Sequence, residues 1–397
     1  MMKTTLRAFA LLALLSCAGS AYAQTYQVVG TETSTVAGDL KKTVTTVQAG
    51  ANQLDRFRVT RVVKEGAEGH SGTLLLLPPL GSGFQNYETS GGDYDRSFAG
   101  FFARRGFDVW GYSQRVQGLA PGACESGAAD CSAMAGWGVQ TILDDVAYIR
   151  RQIALAHPGE KPVVGGLSLG SIVTVAAVNA DPGAYAGALM IEGTLYTENP
   201  EERAVNAGFC SFFDAQLAQG SFYDGQNTPF FKLISQLAEV APDAPSPFFP
   251  GLSNHRGWVA AMSAPPVGPT TPRPGYAFLA GSVEADRFTY ADEALVHENI
   301  RGFVDYVATR TIRDVSCGLA GDRTYSDNLQ NFAGPVIMFA GGRGFGPEML
   351  DTKALLTNAR VTLHYRADYG HVDHVFSPAH LQEVEHPVLA WLLREVK

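Results

Sequence analysis

Between about residues 73 and 192 of this 397-residue chain, short apolar segments alternate with segments whose apolar residues recur at helical spacing. The apolar segments are residues 73–77, 107–112, 162–165 and 188–191, and the helical patterns are residues 97–105, 141–155 and 171–180. Apolar strands of this kind are covered on both faces, and their alternation with helices builds a parallel sheet between helical layers. The chain is therefore predicted to be an α/β protein with a mostly parallel central sheet flanked by helices.

The alternation stops near residue 194 and resumes near residue 332. Prolines crowd residues 242–274, and only short helical patterns surround them. Strand patterns return at residues 335–340 and 361–365, and a helical pattern at residues 380–395 closes the chain. We predict a core made of residues 24–193 and 332–397, with a mainly helical cap domain, residues 194–331, inserted between its two parts.

The first residues have the layout of a secretory signal peptide. Lys3 and Arg7 precede a short apolar run, and Ala21-Tyr22-Ala23 matches a cleavage site, so residues 1–23 are predicted to be removed. The mature protein would begin at Gln24 and be secreted or periplasmic. Cys17 lies in a loose lipoprotein-like box, which leaves a lipid anchor as the alternative. No second apolar run is long enough to cross a bilayer.

Composition narrows the functional classes. A formal net charge of −9 without a long basic run argues against nucleic acid as a partner. Four cysteines remain after cleavage, and an even number in an exported chain favours two disulfides. Cys124 and Cys131 form the local pair, which leaves Cys210 for Cys317; free buried thiols are the alternative. None of the four forms a C-x-x-C pair, so no zinc site is expected.

The strongest local motif is Gly166-Leu167-Ser168-Leu169-Gly170, which fits G-x-S-x-G. An apolar strand runs into the motif and a helical pattern runs out of it, so the chain must turn sharply at Ser168. The flanking glycines suit so tight a turn, and the following helix N-terminus favours developing negative charge. These features predict Ser168 as a nucleophile, and an ordinary glycine-rich turn is the alternative.

A neutral serine needs a base within hydrogen-bond reach. The loop after the last strand contains Gly370-His371-Val372-Asp373-His374. His371 is the predicted base, and His374 is the second choice. The His-x-x-His spacing also fits a metal pair, but no further ligand cluster lies near it in the sequence, so no metal or other cofactor is expected.

The order of the 73–77 strand, the Ser168 elbow and the late Gly370-His371 resembles the α/β-hydrolase superfamily. The resemblance covers about residue 55 to the end, apart from the insertion, which lies where many lipases and esterases of the superfamily carry a cap or lid. It implies an oxyanion hole formed by the backbone N–H groups of Leu169 and of a residue after the 73–77 strand. Leu80 is the predicted second donor, with Gly81 or Phe84 as alternatives, because Pro79 has no N–H.

The third triad member is where the sequence departs from the superfamily's pattern. The resemblance places an acid after the 335–340 strand, near Gly344, but glycines occupy that loop. Some lipases of the superfamily carry the acid one strand earlier, where this chain has Glu192. Glu192 is therefore the predicted acid, because a carboxylate directly after a buried strand is costly without a partner.

Three other carboxylates and one possible salt bridge leave the assignment of the acid open. Glu348 and Asp351 follow the glycine loop and would need a longer reach, and Asp373 is only two residues from His371. A salt bridge to Arg203 is the structural alternative for Glu192.

These residues predict a secreted serine hydrolase acting on a small carboxylic ester through an acyl-enzyme. A peptidase or amidase on the same triad and a catalytically inactive binding protein are the alternatives. Aromatic residues of the insertion would either roof an apolar pocket for an acyl or aromatic group or form the insertion's own core: Phe212, Phe213, Phe230, Phe231, Phe248, Phe249 and Trp258.

Overall fold

The computed structural model describes residues 25–66, 70–263 and 273–396. The predicted signal peptide, Cys17 and Gln24 therefore lie outside the described residues. None of the helices in these three ranges combines the length and apolar character that crossing a membrane requires.

A nine-stranded sheet runs through the molecule in the order β1-β2-β3-β5-β4-β6-β7-β12-β13. Its strands are β1 (Tyr26–Ala37), β2 (Leu40–Ala49), β3 (Arg56–Lys64), β4 (Thr73–Leu77), β5 (Asp108–Ser113), β6 (Val163–Leu167), β7 (Gly187–Ile191), β12 (Pro335–Gly341) and β13 (Arg360–Arg366). Strands β1 to β3 are antiparallel to their neighbours, whereas β5, β4, β6, β7, β12 and β13 are parallel. The predicted mostly parallel sheet is confirmed.

The helices lie on both faces of this sheet and in the insertion. They are α1 (Phe98–Arg104), α2 (Val139–Ala156), α3 (Leu169–Ala180), α4 (Pro200–Ala218), α5 (Asn227–Val240), α6 (Asn254–Ser263), α7 (Glu293–Arg301), α8 (Thr309–Leu319), α9 (Gly346–Leu355), α10 (Asp373–Phe376) and α11 (His386–Trp391). The predicted helix over residues 380–395 is a composite, since π-helical turns at Leu381–Glu385 and Leu392–Val396 flank α11. Pro387, at the start of α11, lacks the N–H that a continuous α-helix needs there.

Strand β4 shows how the core is divided. Leu75 and Leu77 belong to the cluster that α2 and α3 cover, whereas Leu74 and Leu76 belong to the cluster on the other face with α1 and α11. Successive side chains of a strand point to opposite faces, so a continuously apolar strand is buried on both. Helices therefore cover both faces of the sheet. The loops that form the site lie at the carboxyl ends of its parallel strands.

The chain leaves the sheet after β7 and re-enters it at β12, which pairs directly with β7. Among the described residues in between, the strands are two-residue pieces: β8 (Tyr223–Asp224), β9 (Gly281–Ser282), β10 (Arg287–Phe288) and β11 (Val307–Ala308). Helices α4 and α8 are joined by the Cys210–Cys317 disulfide, and Cys124–Cys131 closes a local loop. Both disulfides were predicted from the sequence and are confirmed.

Candidate active site

Ser168 lies at the turn between β6 and α3, with a backbone φ of 57° and ψ of −119°. A Cβ atom on Gly166 or Gly170 would collide with the carbonyl oxygen of Leu77 on the neighbouring strand β4, so only glycine fits on either side. The Ser168 N–H donates to the Ile191 carbonyl at 2.9 Å, which fixes the turn. A non-glycine residue in this conformation costs about 1–3 kcal/mol and persists only where its surroundings hold it.

His371 lies in the loop between β13 and α10. Its Nε2 atom is 2.8 Å from the Ser168 Oγ, and its side chain is buried. The rings of Tyr276, Phe278 and Phe345 surround the imidazole with centroid distances of 5.6, 6.0 and 5.2 Å. This burial lowers the pKa of His371 to about 3, so the ring is neutral at physiological pH and can accept the serine proton.

Glu192 directly follows β7 and is completely buried, with a positive φ of 52°. One carboxylate oxygen accepts the Gly341 N–H, and the other, Oε2, accepts the Phe345 N–H at 2.8 Å. The same Oε2 lies 3.4 Å from His371 Nδ1. Burial raises the pKa of Glu192, whereas the two N–H groups and the nearby charge of Arg273 act in the opposite direction and favour the carboxylate.

Position 344 has no acidic side chain because the Glu192 carboxylate fills the space that such a side chain would need. A Cβ atom on Gly344 would collide with the Oε2 atom of Glu192 and would lie 2.8 Å from the Cα atom of His371. The loop after β12 therefore cannot carry a side chain there, because the carboxylate from β7 already occupies the space beside the imidazole.

Two of the residues that the sequence offered as alternatives have other partners. Arg203 pairs with Glu198 at 3.2 Å, so the proposed Arg203 salt bridge to Glu192 is wrong. The Asp351 carboxylate accepts hydrogen bonds from the Glu198 N–H at 2.7 Å and the Thr197 hydroxyl at 3.2 Å. Asp351 thus holds the start of the insertion.

The two remaining carboxylates are also engaged elsewhere. Glu348 is buried, and its Oε1 lies 3.2 Å from the Nε of Arg273. Asp373 accepts the N–H groups of Gly370 at 2.6 Å and Ala280 at 2.9 Å through one oxygen. Asp373 therefore ties the histidine loop to the insertion and does not face the imidazole through that oxygen.

His374, the second choice for the base, packs against the rings of Phe339 and Tyr369 at 5.9 and 4.9 Å. Burial lowers the pKa of His374 to about 4. The ring is part of the packing beneath the loop, and the hydrogen bond to Ser168 Oγ comes from His371 instead.

The predicted oxyanion donors border the same cavity as Ser168, since Leu80 and Leu169 both line it. Leu169 is the first residue of α3, where N–H groups have no acceptor within the helix. Of the alternatives, Phe84 donates its N–H to the Ser113 hydroxyl at 2.9 Å, so that group is occupied. Gly81 sits in a turn with a φ of 71°. The roles of Leu80 and Leu169 stay a prediction.

The cavity above Ser168 and His371 has a volume of about 180 Å³. Its walls are mainly apolar, and many of them come from the insertion, including Phe231, Met262, Phe278, Ile300 and Phe303. Of the seven aromatic residues of the insertion noted in the sequence, Phe231 lines the cavity, whereas Trp258 is fully buried among other residues of the insertion. Phe212 and Phe248 are exposed.

Sequence reasoning missed the residues that complete the histidine's surroundings. Arg273 donates from Nη2 to the carbonyls of Gly342 and Gly344, both at 2.8 Å, and so holds the loop whose N–H groups bind Glu192. Tyr276 and Phe278 follow it and wall the imidazole. The available signal was that Arg273, Tyr276 and Phe278 follow a proline-rich segment. This pattern does not indicate which loop these residues contact.

No protein-family model matches the chain, and no curated protein matches it by sequence. Solved structures do match. A candidate lipase from Sulfolobus solfataricus superposes with a TM-score of 0.65 at 21% identity, over 93% of this chain and 99% of that one. A thermostable carboxyl esterase from Bacillus coagulans superposes with a TM-score of 0.54 at 13% identity, over 91% and 100%. At these identities the likeness shows the fold, and it confirms the predicted fold class.

Proposed function

We propose that this chain, which has the α/β-hydrolase fold, is an exported serine hydrolase that cleaves carboxylic esters through an acyl-enzyme. The observation that carries the proposal is the 2.8 Å contact between His371 Nε2 and Ser168 Oγ at a strained turn. A strained serine beside a buried, neutral imidazole is not expected in an ordinary glycine-rich turn, where nothing would offset the strain.

The proposed reaction follows from these positions. His371 Nε2 takes the proton of Ser168 as Oγ attacks the ester carbonyl carbon, and Glu192 stabilises the imidazolium that forms. The tetrahedral oxyanion accepts hydrogen bonds from the N–H groups of Leu80 and Leu169. Collapse of this intermediate releases the alkoxide, which takes the proton from His371. Water then attacks the acyl-enzyme by the same steps, with His371 as base.

The cavity supports an apolar acyl or aromatic group as the part of the ester that is recognised. A mainly apolar wall removes such a group from water, and each buried methylene contributes about 0.8 kcal/mol. We treat residues 194–331 as the cap that supplies most of this wall. The two disulfides favour an oxidising compartment, in agreement with export.

The proposal is tested with a short nitrophenyl ester and with a fluorophosphonate that labels activated serines. We expect Ser168→Ala to lose hydrolysis by at least about 10³-fold and to lose labelling, because the acyl-enzyme can no longer form. Ser211→Ala changes an exposed serine on α4, is the matched control and keeps both. Ester hydrolysis retained in Ser168→Ala would contradict the proposal.

The peptidase alternative is separated by comparing esters with aminoacyl amides, which demand a better acid for the leaving amine. The contact of the Glu192 carboxylate with His371 Nδ1 at 3.4 Å supports an active enzyme over an inactive scaffold. Labelling without turnover of any ester would favour that scaffold again.

A further inference from the structure

Two histidines and a glutamate face one another at the amino edge of the parallel strands, the edge opposite Ser168. His70 precedes β4, and His157 and Glu160 precede β6. His70 Nε2 lies 2.6 Å from Glu160 Oε2, and His157 Nδ1 lies 4.0 Å from the same oxygen. One ligand atom from each of the three side chains lies within 4.8 Å of the others.

The orientation of His157 is set from behind by a buried carboxylate. His157 Nε2 is 2.7 Å from Asp108 Oδ2, and Asp108 is also bound by both Nε and Nη2 of Arg61. A carboxylate paired with arginine accepts hydrogen bonds, so Nε2 of His157 carries the proton. The lone pair of the neutral ring is then on Nδ1, which points towards Glu160. Metal-binding histidines are oriented by carboxylates in this way.

This tautomer leaves an acceptor facing an acceptor. The Nδ1 lone pair of His157 faces the Glu160 carboxylate at 4.0 Å, and a cation between them would attract both. Within the part of the chain that the structure describes, Glu160 Oε1 is buried and has no hydrogen-bond partner. In the described part of the chain, Arg61 pairs with Asp108, whereas Glu160 contacts the two histidines and no lysine or arginine.

We propose that His70, His157 and Glu160 bind a zinc ion, with water as the fourth ligand. Two imidazole nitrogens and a carboxylate are a ligand set that Zn²⁺ takes at about 2.0–2.2 Å. The side chains are 35%, 23% and 24% exposed, so an ion can enter and the ligands can adjust. The ion would tie the segment before β4 to the segment before β6. No metal site was expected from the sequence, in which His70 lies 90 residues before Glu160.

The test titrates untagged protein, stripped of metal with a chelator, with ZnCl₂ while calorimetry and thermal unfolding are recorded. We expect uptake of one Zn²⁺ per chain and a melting temperature that rises with zinc concentration. His70→Ala and His157→Ala should each weaken binding by at least tenfold. His70 is partly exposed, so its variant is expected to fold, and its melting temperature without zinc checks this.

The matched control is His255→Ala. His255 also contacts two carboxylates, Asp286 at 3.2 Å and Glu293 at 3.0 Å, but those contacts include no second histidine. This variant should keep the uptake seen in the unaltered chain. The proposal is overturned if the unaltered chain takes up no zinc, or if uptake survives in both His70→Ala and His157→Ala. Zinc that instead inhibits ester hydrolysis equally in all variants would place it at Ser168 and His371, which also overturns the proposal.

Discussion

The loops after β7 and after β12 end at the same edge of the sheet, yet only one of them carries an acid. The β7 loop supplies the Glu192 carboxylate, whereas the β12 loop supplies the N–H groups of Gly341 and Phe345 that receive it. At Gly344 the second loop has no side chain, and none would fit. The comparison teaches that the two loops are complementary. In this chain the loop after β7 carries the carboxylate, and the loop after β12 has no side chain at Gly344 and presents two N–H donors.

Exchanging the carboxylate for its amide is expected to have the largest effect on this comparison. In Glu192→Gln an amide N–H₂ would face the Gly341 or Phe345 N–H, donor against donor, and the imidazole would lose the charge that stabilises it. We expect kcat to fall by about 10³- to 10⁴-fold. Asp351→Asn is the control, and steady-state kinetics on the same ester is the measurement. A fall of only a few-fold in Glu192→Gln would count against Glu192 as the acid.

A side chain added at Gly344, in the loop after β12, should disturb the contact between this loop and Glu192. Gly344→Ala places a methyl group against the Glu192 carboxylate, which must move away from His371. Misplacing a catalytic group by about 1 Å can cost about 10²-fold in rate, and we expect a loss of that order in kcat. Gly208→Ala, in α4 with open space around it, is the control. Unchanged kcat in Gly344→Ala would show that the loop can relax without consequence.

Arg273 of the insertion holds the loop after β12 through the carbonyls of Gly342 and Gly344, and thermal unfolding measures its contribution to stability. Arg273→Met leaves the buried Glu348 carboxylate without its cation, and we expect a stability loss of about 3 kcal/mol. Burial already raises the pKa of Glu348 to about 8, so Glu348→Gln combined with Arg273→Met should recover part of the loss. Thermal unfolding measures both, with Arg256→Met on the surface of the insertion as control. Equal melting temperatures for the single and double variants would contradict this.

The smallest expected effect is on the pH profile. Burial depresses the pKa of His371 below its usual 6.5, so the ring keeps its neutral, proton-accepting form as the pH falls through 6.5. We expect the acidic limb of kcat/KM to have an apparent pKa below 6.5, so that activity persists at pH 6. An acidic limb centred above 6.5 would contradict this and would assign the limb to Glu192, whose own pKa is raised by burial.

Local patterns allowed much of the fold to be predicted. Strand β4 was predicted with its observed bounds, and α2 and α3 within two residues, because β4 is a continuous apolar run, α2 repeats apolar residues on one face and α3 is a run of small and apolar residues. The long β1–β2 hairpin at the sheet edge was not predicted. Much of β1 is exposed, and without a buried face a strand shows no apolar alternation.

The sequence by itself indicated the sharp turn at Ser168, the favoured pairing of the cysteines and the order of strands and helices from β4 to β7. Each depends on neighbouring residues or on elimination among very few partners. The contact of His371 with Glu192 and not with Asp351, the need for glycine at position 344 and the apolar wall around His371 were visible only in the tertiary structure. They depend on which loops the sheet brings within a few ångströms of one another, and backbone N–H donors and unoccupied space leave no signature in a sequence.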